Sequence, residues 1–260
     1  MRLDVYLAAN GFVKSREAAQ RLIKEGAVTI DGKTAKKPSD NIDESVEHEI
    51  NVSDSLKFVS RGGLKLERAL DAFGIDVTGA DAVDIGASTG GFTDCLLQRG
   101  AAKVRCVDVG RSQLDKKLEN DPRVTSFEGM NARYITPEDI GGECELVVCD
   151  VSFISLTLIV GAVSRLLSEN GRFIALIKPQ FEAGRAALDK HGIVRDRERH
   201  IEVIKKVIDS AAESGLFCGG LTVSPIEGGD GNREYLALFT KNADHGVIDA
   251  AYIKRMVYGN

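Results

Sequence analysis

The sequence predicts an α/β protein: a mostly parallel sheet wrapped by helices on both faces, preceded by a small α+β module. Three observations carry that expectation. From residue 81 onward, short β-branched runs alternate with longer helix-like segments, the pattern of strands joined by crossover helices. The first run, DAVDI, opens into a loop with three glycines and then a helix-like segment, and ligands of such sheets bind at the carboxyl ends of the strands. Ahead of residue 60, a basic helix and an Asp-Gly hairpin form a separate pattern.

The N-terminal elements come first. In SREAAQRLIKEG, Ser15 is a good N-cap, Ala18, Ala19, Leu22 and Ile23 recur at helical spacing, and Gly26 is a natural stop. Arg16, Arg21 and Lys24 fall on the outer face. In AVTIDGKTAKK, Val28 and Ile30 lead into the Asp31-Gly32 turn, with Lys33, Lys36 and Lys37 beyond it. The formal net charge of −5 argues against a nucleic-acid partner until its distribution is counted. Residues 1–37 hold eight basic and four acidic side chains, whereas residues 38–57 hold one basic and six acidic. One cationic face suits a phosphate backbone, and a solvated face on a protein-interaction module is the plainer alternative. We expect this module at 1–58, a linker at 59–64 around Arg61-Gly62-Gly63, and a larger domain at 65–260.

In the larger domain, DAVDI, KVRCVDV, RVTSFEG, ELVVCDV, RFIALIKP, LTVSPIE and REYLALFT read as strands. FTDCLLQRG, SLTLIVGAVSRLLSENG and RHIEVIKKVIDSAAESG read as helices, the second closing at its polar-Gly end. EAGRAALDKHGIVRDRERH, residues 182–200, lacks periodicity and carries five Arg or Lys; it reads as a loop over RNA or as an ordinary solvated loop.

Several classes are excluded. The opening MRLDVYLAAN supports neither a secretory signal nor a transit peptide, and ISLTLIVGAV is too short to span a bilayer. Five cysteines without a C-x-x-C pair suit reduced thiols in the cytoplasm, and neither they nor the four histidines show metal-ligand spacing. No membrane partner, metal or identifiable protein partner is expected.

The N-terminal stretch RLDVYLAANGFVKSREAAQRLIKEGAVTIDGK resembles the small RNA-binding domain named after a ribosomal protein of the small subunit and shared by pseudouridine synthases and tyrosyl-tRNA synthetases. The resemblance implies recognition of structured RNA through Arg2, Arg16, Arg21, Lys24, Lys33 and Arg61. The glycine loop has Ser88 where a dinucleotide fingerprint needs its second glycine. Its spacing of Gly86, Gly90 and Gly91, preceded by Asp84, is similar to the first motif of class I methyltransferases that use S-adenosyl-L-methionine (SAM). That likeness implies a loop around Gly86, Ser88, Gly90, Gly91 and Phe92 passing close to the methionine moiety. Asp84 would act on its ammonium and Asp108 on the ribose diol. A structural turn in a ligand-free sheet is the alternative. Asn131 stands where many such enzymes place an aspartate against the adenine amino group.

Asp150 ends one strand run and Lys178 another, so a carboxylate and an amine should be neighbours at adjacent carboxyl ends. A lysine near its reference pKa of about 10.4 is a poor base at neutral pH; desolvation and a second cation, for which Lys65 is available, lower such a value. Taken singly, Lys65 and Glu234 could be surface charges, and Asp150 a cap for the following helix. Together, Lys65, Asp150, Lys178 and Glu234 fall where the K-D-K-E tetrad of FtsJ-like ribose 2′-O-methyltransferases is expected. VSRGGLKLERAL, CDVSFISL and LIKPQFEAGR, with the N-terminal domain, resemble the TlyA family, often labelled hemolysins. The family implies methylation of cytidine 2′-hydroxyls in ribosomal RNA or ribosomal subunits, with Lys178 as base, Asp150 and Lys65 tuning it, Glu234 helping to hold the hydroxyl, and Asp150 also at the cofactor. A base-amine methyltransferase would carry prolines after its acid, where this chain has Val-Ser-Phe. A membrane-lysing protein would need an amphipathic or spanning segment that is not evident.

Overall fold

The computed structural model describes residues 1–260 except 25, 53–56, 229–230, 244–247 and 260, and not the side chains of Arg21 and Lys24. The chain forms two compact units, Met1–Arg61 and Gly62–Asn260.

In the first unit, helices α1 (Leu3–Ala9) and α2 (Arg16–Lys24) share a core with a three-stranded antiparallel sheet. Its strands β1 (Val28–Ile30), β2 (Lys33–Thr34) and β3 (Ile50–Val52) lie in the order β2-β1-β3. Ser15 Oγ accepts from the Ala18 amide at 3.1 Å, the expected N-cap. Asp31 (φ +50°) and Gly32 (φ +74°) both adopt left-handed backbone, which a two-residue turn matching the strand twist requires. The third strand arises from the acidic stretch, where Ile-Asn-Val is too short a pattern to read.

The second unit opens with α3 (Gly62–Phe73), so residues 62–64, expected in a linker, are already helical; Leu66, Ala69 and Leu70 bury its apolar stripe. Then follow β4 (Asp81–Ile85), α4 (Gly91–Gln98), β5 (Lys103–Asp108), α5 (Lys116–Glu119), β6 (Val124–Glu128), α6 (Pro137–Ile140) and β7 (Cys144–Cys149). The chain continues through α7 (Val160–Leu166), β8 (Leu167–Ile177), α8 (Pro179–Glu182), α9 (Arg197–Glu213), β9 (Phe217–Val223), β10 (Tyr235–Thr240) and α10 (Ala250–Tyr258). The seven strands lie in the order β6-β5-β4-β7-β8-β10-β9, parallel except for β10, which runs against both neighbours. The central strands are buried on both faces, which is why they read as continuous apolar runs.

Three expectations are corrected. The segment SLTLIVGAVSRLLSENG is not one helix: a 3-10 turn at Leu156–Leu158 and α7 end at Leu166, and Leu167–Asn170 already belong to β8. Leu167 is fully buried, pairs with Cys144, and its carbonyl takes Lys241 Nζ at 2.7 Å, so tertiary pairing overrides the helical pattern. β9 begins at Phe217, four residues before the expected strand, because Gly219-Gly220 hides it; a Cβ on Gly220 would stand 2.8 Å from the Phe73 ring. Within 182–200, α9 starts at Arg197 under an Asp196 cap. The rest is tied down: Asp189 accepts from the His191 and Ile193 amides and from Arg195, while Asn232 Oδ1 accepts from the Val194 amide. Buried His200 donates to the Val194 carbonyl through Nε2 and accepts the Tyr235 hydroxyl on Nδ1.

The chain leaves β4 outward through β5 and β6, then returns to build β7 and β8 on the other side. Order therefore reverses between β4 and β7, and a crevice opens at their carboxyl ends.

Candidate active site

At that crevice β4 turns sharply. Gly86 has φ +80°, and a Cβ there would lie 2.7 Å from the Asp150 carbonyl oxygen, so only glycine lets the two strand ends approach this closely. Ser88 is also left-handed, at φ +49°, and its amide donates to Asp108 Oδ2 at 2.8 Å while the Gly110 amide donates to Oδ1 at 2.7 Å. Asp108 is thus held at the end of β5 by backbone from two loops.

A cavity of about 460 Å³ lies over these ends, within the usual range for a small-molecule site. Gly86, Ser88, Asp108, Asn131 and Asp150 line it. So do Val109, Gln113, Met130 and the Val151–Ile154 loop, which sequence reasoning missed; they are loop positions without periodicity. Gly90, Gly91 and Phe92 are not part of its wall: they form the buried start of α4, with Gly90 left-handed at its cap. Asn131 Oδ1 accepts from the Arg133 amide, so its oxygen is partly engaged locally.

Asp84 sits beneath, completely buried. Its Oδ2 accepts the Thr93 hydroxyl at 2.7 Å, leaving Thr93 Oγ1 to accept from the Cys106 thiol. Oδ1 has no hydrogen-bond partner among the described residues. Burial pushes the Asp84 carboxyl up to about 7, the Thr93 hydrogen bond opposes this, and Asp150 adds to it. An enclosed acid with one unmatched acceptor suits an ammonium, and Asp108 at the neighbouring strand end suits a diol. The donor set therefore fits SAM.

Beside the cavity stand two ion pairs. Lys178, just past β8, places Nζ 2.6 Å from Asp150 Oδ1, just past β7. Lys65, on α3, places Nζ 2.6 Å from Glu234 Oε2. Glu234 reaches this edge because β10 runs backward: Tyr235 pairs with Ile177, so the residue before β10 meets the residue after β8. Gln180 joins the pairs, its Nε2 donating to Glu234 Oε1 at 3.3 Å. Lys65, Lys178 and Glu234 are all less than a tenth exposed. Such buried charges persist only when paired.

In the first unit, Asp4 is fully buried and accepts from Arg2 at 3.0 Å, Arg16 at 2.9 Å and Gln20 at 2.7 Å. The Arg2 hydrogen bonds, with those from Arg16 and Gln20, hold the Asp4 carboxyl well below the usual carboxylate range. Arg2 and Arg16 are each about half exposed, so Asp4 fixes two guanidinium groups at the surface. Lys33 is exposed, and Arg61 lies against Gly26. The side chains of Arg21 and Lys24 lie outside the described residues.

A seven-stranded sheet with one reversed strand, a glycine turn at its switch point and a cofactor-sized cavity there define a Rossmann-like methyltransferase fold. The FtsJ-like methyltransferase family matches residues 58–241, and the S4 domain matches residues 1–48. The chain belongs to the FtsJ-like methyltransferase family, with an N-terminal S4 domain. It is 48% identical over 236 residues to YqxC of Bacillus subtilis, named as a candidate rRNA methyltransferase, covering 90% of this chain and 84% of the relative. The 16S/23S rRNA (cytidine-2′-O)-methyltransferase TlyA of Mycobacterium tuberculosis is 41% identical over 246 residues, covering 95% of this chain and 92% of that protein. A solved structure from Streptococcus thermophilus, described as a candidate hemolysin, superposes with a TM-score of 0.78 at 42% identity, covering 100% of this chain and 94% of that one.

Proposed function

We propose that this enzyme transfers a methyl group from SAM to the 2′-hydroxyl of a cytidine in ribosomal RNA. The observation that carries the reading is the pair of lysine–carboxylate contacts at one edge of the sheet, beside the cavity that suits the cofactor. When bound, SAM supplies a methyl group on a sulfonium, which the hydroxyl oxygen takes as the carbon–sulfur electron pair stays on sulfur.

The chain's own residues do the rest. Lys178 takes the hydroxyl proton on Nζ, and Asp150 holds that nitrogen in place and balances the charge it gains. Lys65 keeps Glu234 fixed, and Glu234 accepts a hydrogen bond from the ribose. The Gly86 turn, Ser88, Asp108, Asn131 and Asp84 hold the cofactor, and much of the rate comes from alignment. The basic residues of the first unit bind structured RNA, in ribosomal subunits or free rRNA. Among the described residues no helix is long and apolar enough to cross a membrane, and the proposed substrate puts the enzyme in the cytoplasm.

The test is transfer of labelled methyl to ribosomal subunits by the wild type and by Lys178→Ala, followed by nucleoside mass spectrometry. The wild type should yield 2′-O-methylcytidine, and the variant should lose on the order of 10²–10⁴-fold in rate, the usual worth of a general base. A base-methylated product would replace this reading with amine methylation.

A further inference from the structure

Lys178 Nζ meets two oxygens from one loop, one that accepts a hydrogen bond and one that pairs with it by charge. Asp150 Oδ1 lies 2.6 Å away, and Ser152 Oγ accepts from Nζ at 2.8 Å. A neutral amine has two N–H bonds and one lone pair. Ser152 Oγ takes one N–H in a directed hydrogen bond, while the Asp150 carboxylate faces Nζ without hydrogen-bonding it and holds the nitrogen by charge, so the serine is what sets the direction of the amine. Without the serine hydroxyl only the undirected charge contact with Asp150 would remain, and the amine could sweep its lone pair away from the acceptor hydroxyl.

We propose that Ser152 is a positioning residue which, together with Asp150, aims the lone pair of Lys178 at the 2′-hydroxyl. The idea rests on the methyl transfer argued above. Packing gives no other reason for the hydroxyl, because Ser152 is exposed and lines the cavity mouth.

The loop carrying Ser152 is itself anchored to the segment that carries the base. Phe153 turns the chain with left-handed backbone at φ +65°. Beyond it, the Ser155 hydroxyl and the Leu156 amide both donate to the buried carboxylate of Glu182, the amide at 2.7 Å. Glu182 closes α8, the turn that starts directly after Lys178, and Lys206 donates to its carbonyl at 3.1 Å. Base, loop and carboxylate thus form a closed ring: Lys178 to Ser152, along the chain to Leu156, across to Glu182, and back along α8. Such a ring holds the Ser152 oxygen at a set distance from Nζ whether or not substrate is present, which is what a fixed lone pair requires.

The experiment compares Ser152→Ala, Ser152→Val and Ser152→Thr in methyl transfer to ribosomal subunits, with kcat and KM measured separately and SAM affinity by calorimetry. Val and Thr have the same branching and nearly the same volume and differ in the hydroxyl. Ala and Val should lower kcat about 10–100-fold with KM and SAM affinity unchanged, while Thr stays within about threefold of wild type, the scale set by small misalignments at a reacting centre. An unchanged kcat in Ala would overturn the proposal. So would equal losses in Thr and Val, which would mark packing, or a rise in KM for SAM alone, which would mark a cofactor contact. The wild-type arm separates this from the reaction itself: if it forms no ribose-methylated cytidine, the methyl-transfer reading has failed and the role of Ser152 falls with it.

Discussion

Asp84 carries a consequence for pH. Its carboxyl is enclosed, and burial raises it to about 7 against an ordinary value of 3.8. A raised carboxyl favours folding fully below its unfolded value, and that contribution is lost as pH climbs to about 7, where the folded chain must hold an enclosed charge. The stake is on the order of 4 kcal/mol. We therefore expect urea melts to show Asp84→Asn gaining stability relative to wild type at pH 8 and none at pH 4. A cation placed against Oδ1 favours the ionised form, so SAM binding should release a proton below pH 7. Affinity should then weaken by up to about tenfold per pH unit between pH 7 and 5, a slope that calorimetry in two buffers would find missing in Asp84→Asn. At this scale Asp150, Lys178 and Glu234 were legible because each follows or precedes an apolar strand run, whereas Lys65 lies inside α3 and carries no such signal. Ser152 was not, since one serine in a loop carries no spacing signal until Lys178 is seen beside it. Nor was Asp4, whose partners Arg16 and Gln20 come from the next helix.

Among elements, the turn after β4 has the least room for change. Gly86→Ala brings a side chain into left-handed backbone and within 2.7 Å of the Asp150 carbonyl oxygen. We expect a stability loss of about 1–3 kcal/mol in urea melts and at least a tenfold loss of SAM affinity, because the strand ends must part. An affinity equal to wild type would mean that β4 and β7 can separate without disturbing the cavity. The central parallel strands β4 and β7 could be read from sequence because burial on both faces makes them mostly apolar. The start of β8 could not, since its pairing with β7 is a long-range event that leaves Leu-Ser-Glu-Asn looking like the end of a helix. β9 was shortened for a related reason: its Gly220 leaves room for the Phe73 ring, a contact invisible along the chain.

At the scale of the molecule, the uneven charge seen in the sequence gathers in the unit Met1–Arg61, which has its own core of Leu3, Leu7, Ala19, Ile23, Val28 and Ile42. Removing residues 1–61 should leave SAM affinity within about threefold and cut RNA affinity at least tenfold, with a shallower dependence on salt, since phosphate contacts release counterions. Filter binding at two salt concentrations tests this, and equal RNA affinity in the truncated chain would move RNA recognition to the second unit. The separateness of that module was legible because a hairpin and a capped helix are local signals, whereas where α3 begins depends on packing.

The reversed strand β10 also makes the site depend on contacts between distant parts of the chain. Lys65 finds Glu234 across 169 positions, and Glu234 reaches Lys178 only once β10 has slotted between β8 and β9. β10 is the last strand along the chain among the described residues, and it takes an inner place in the sheet rather than an edge. The two ion pairs are therefore late, long-range events of folding: neither local helix nor local hairpin formation can bring Lys65 to Glu234.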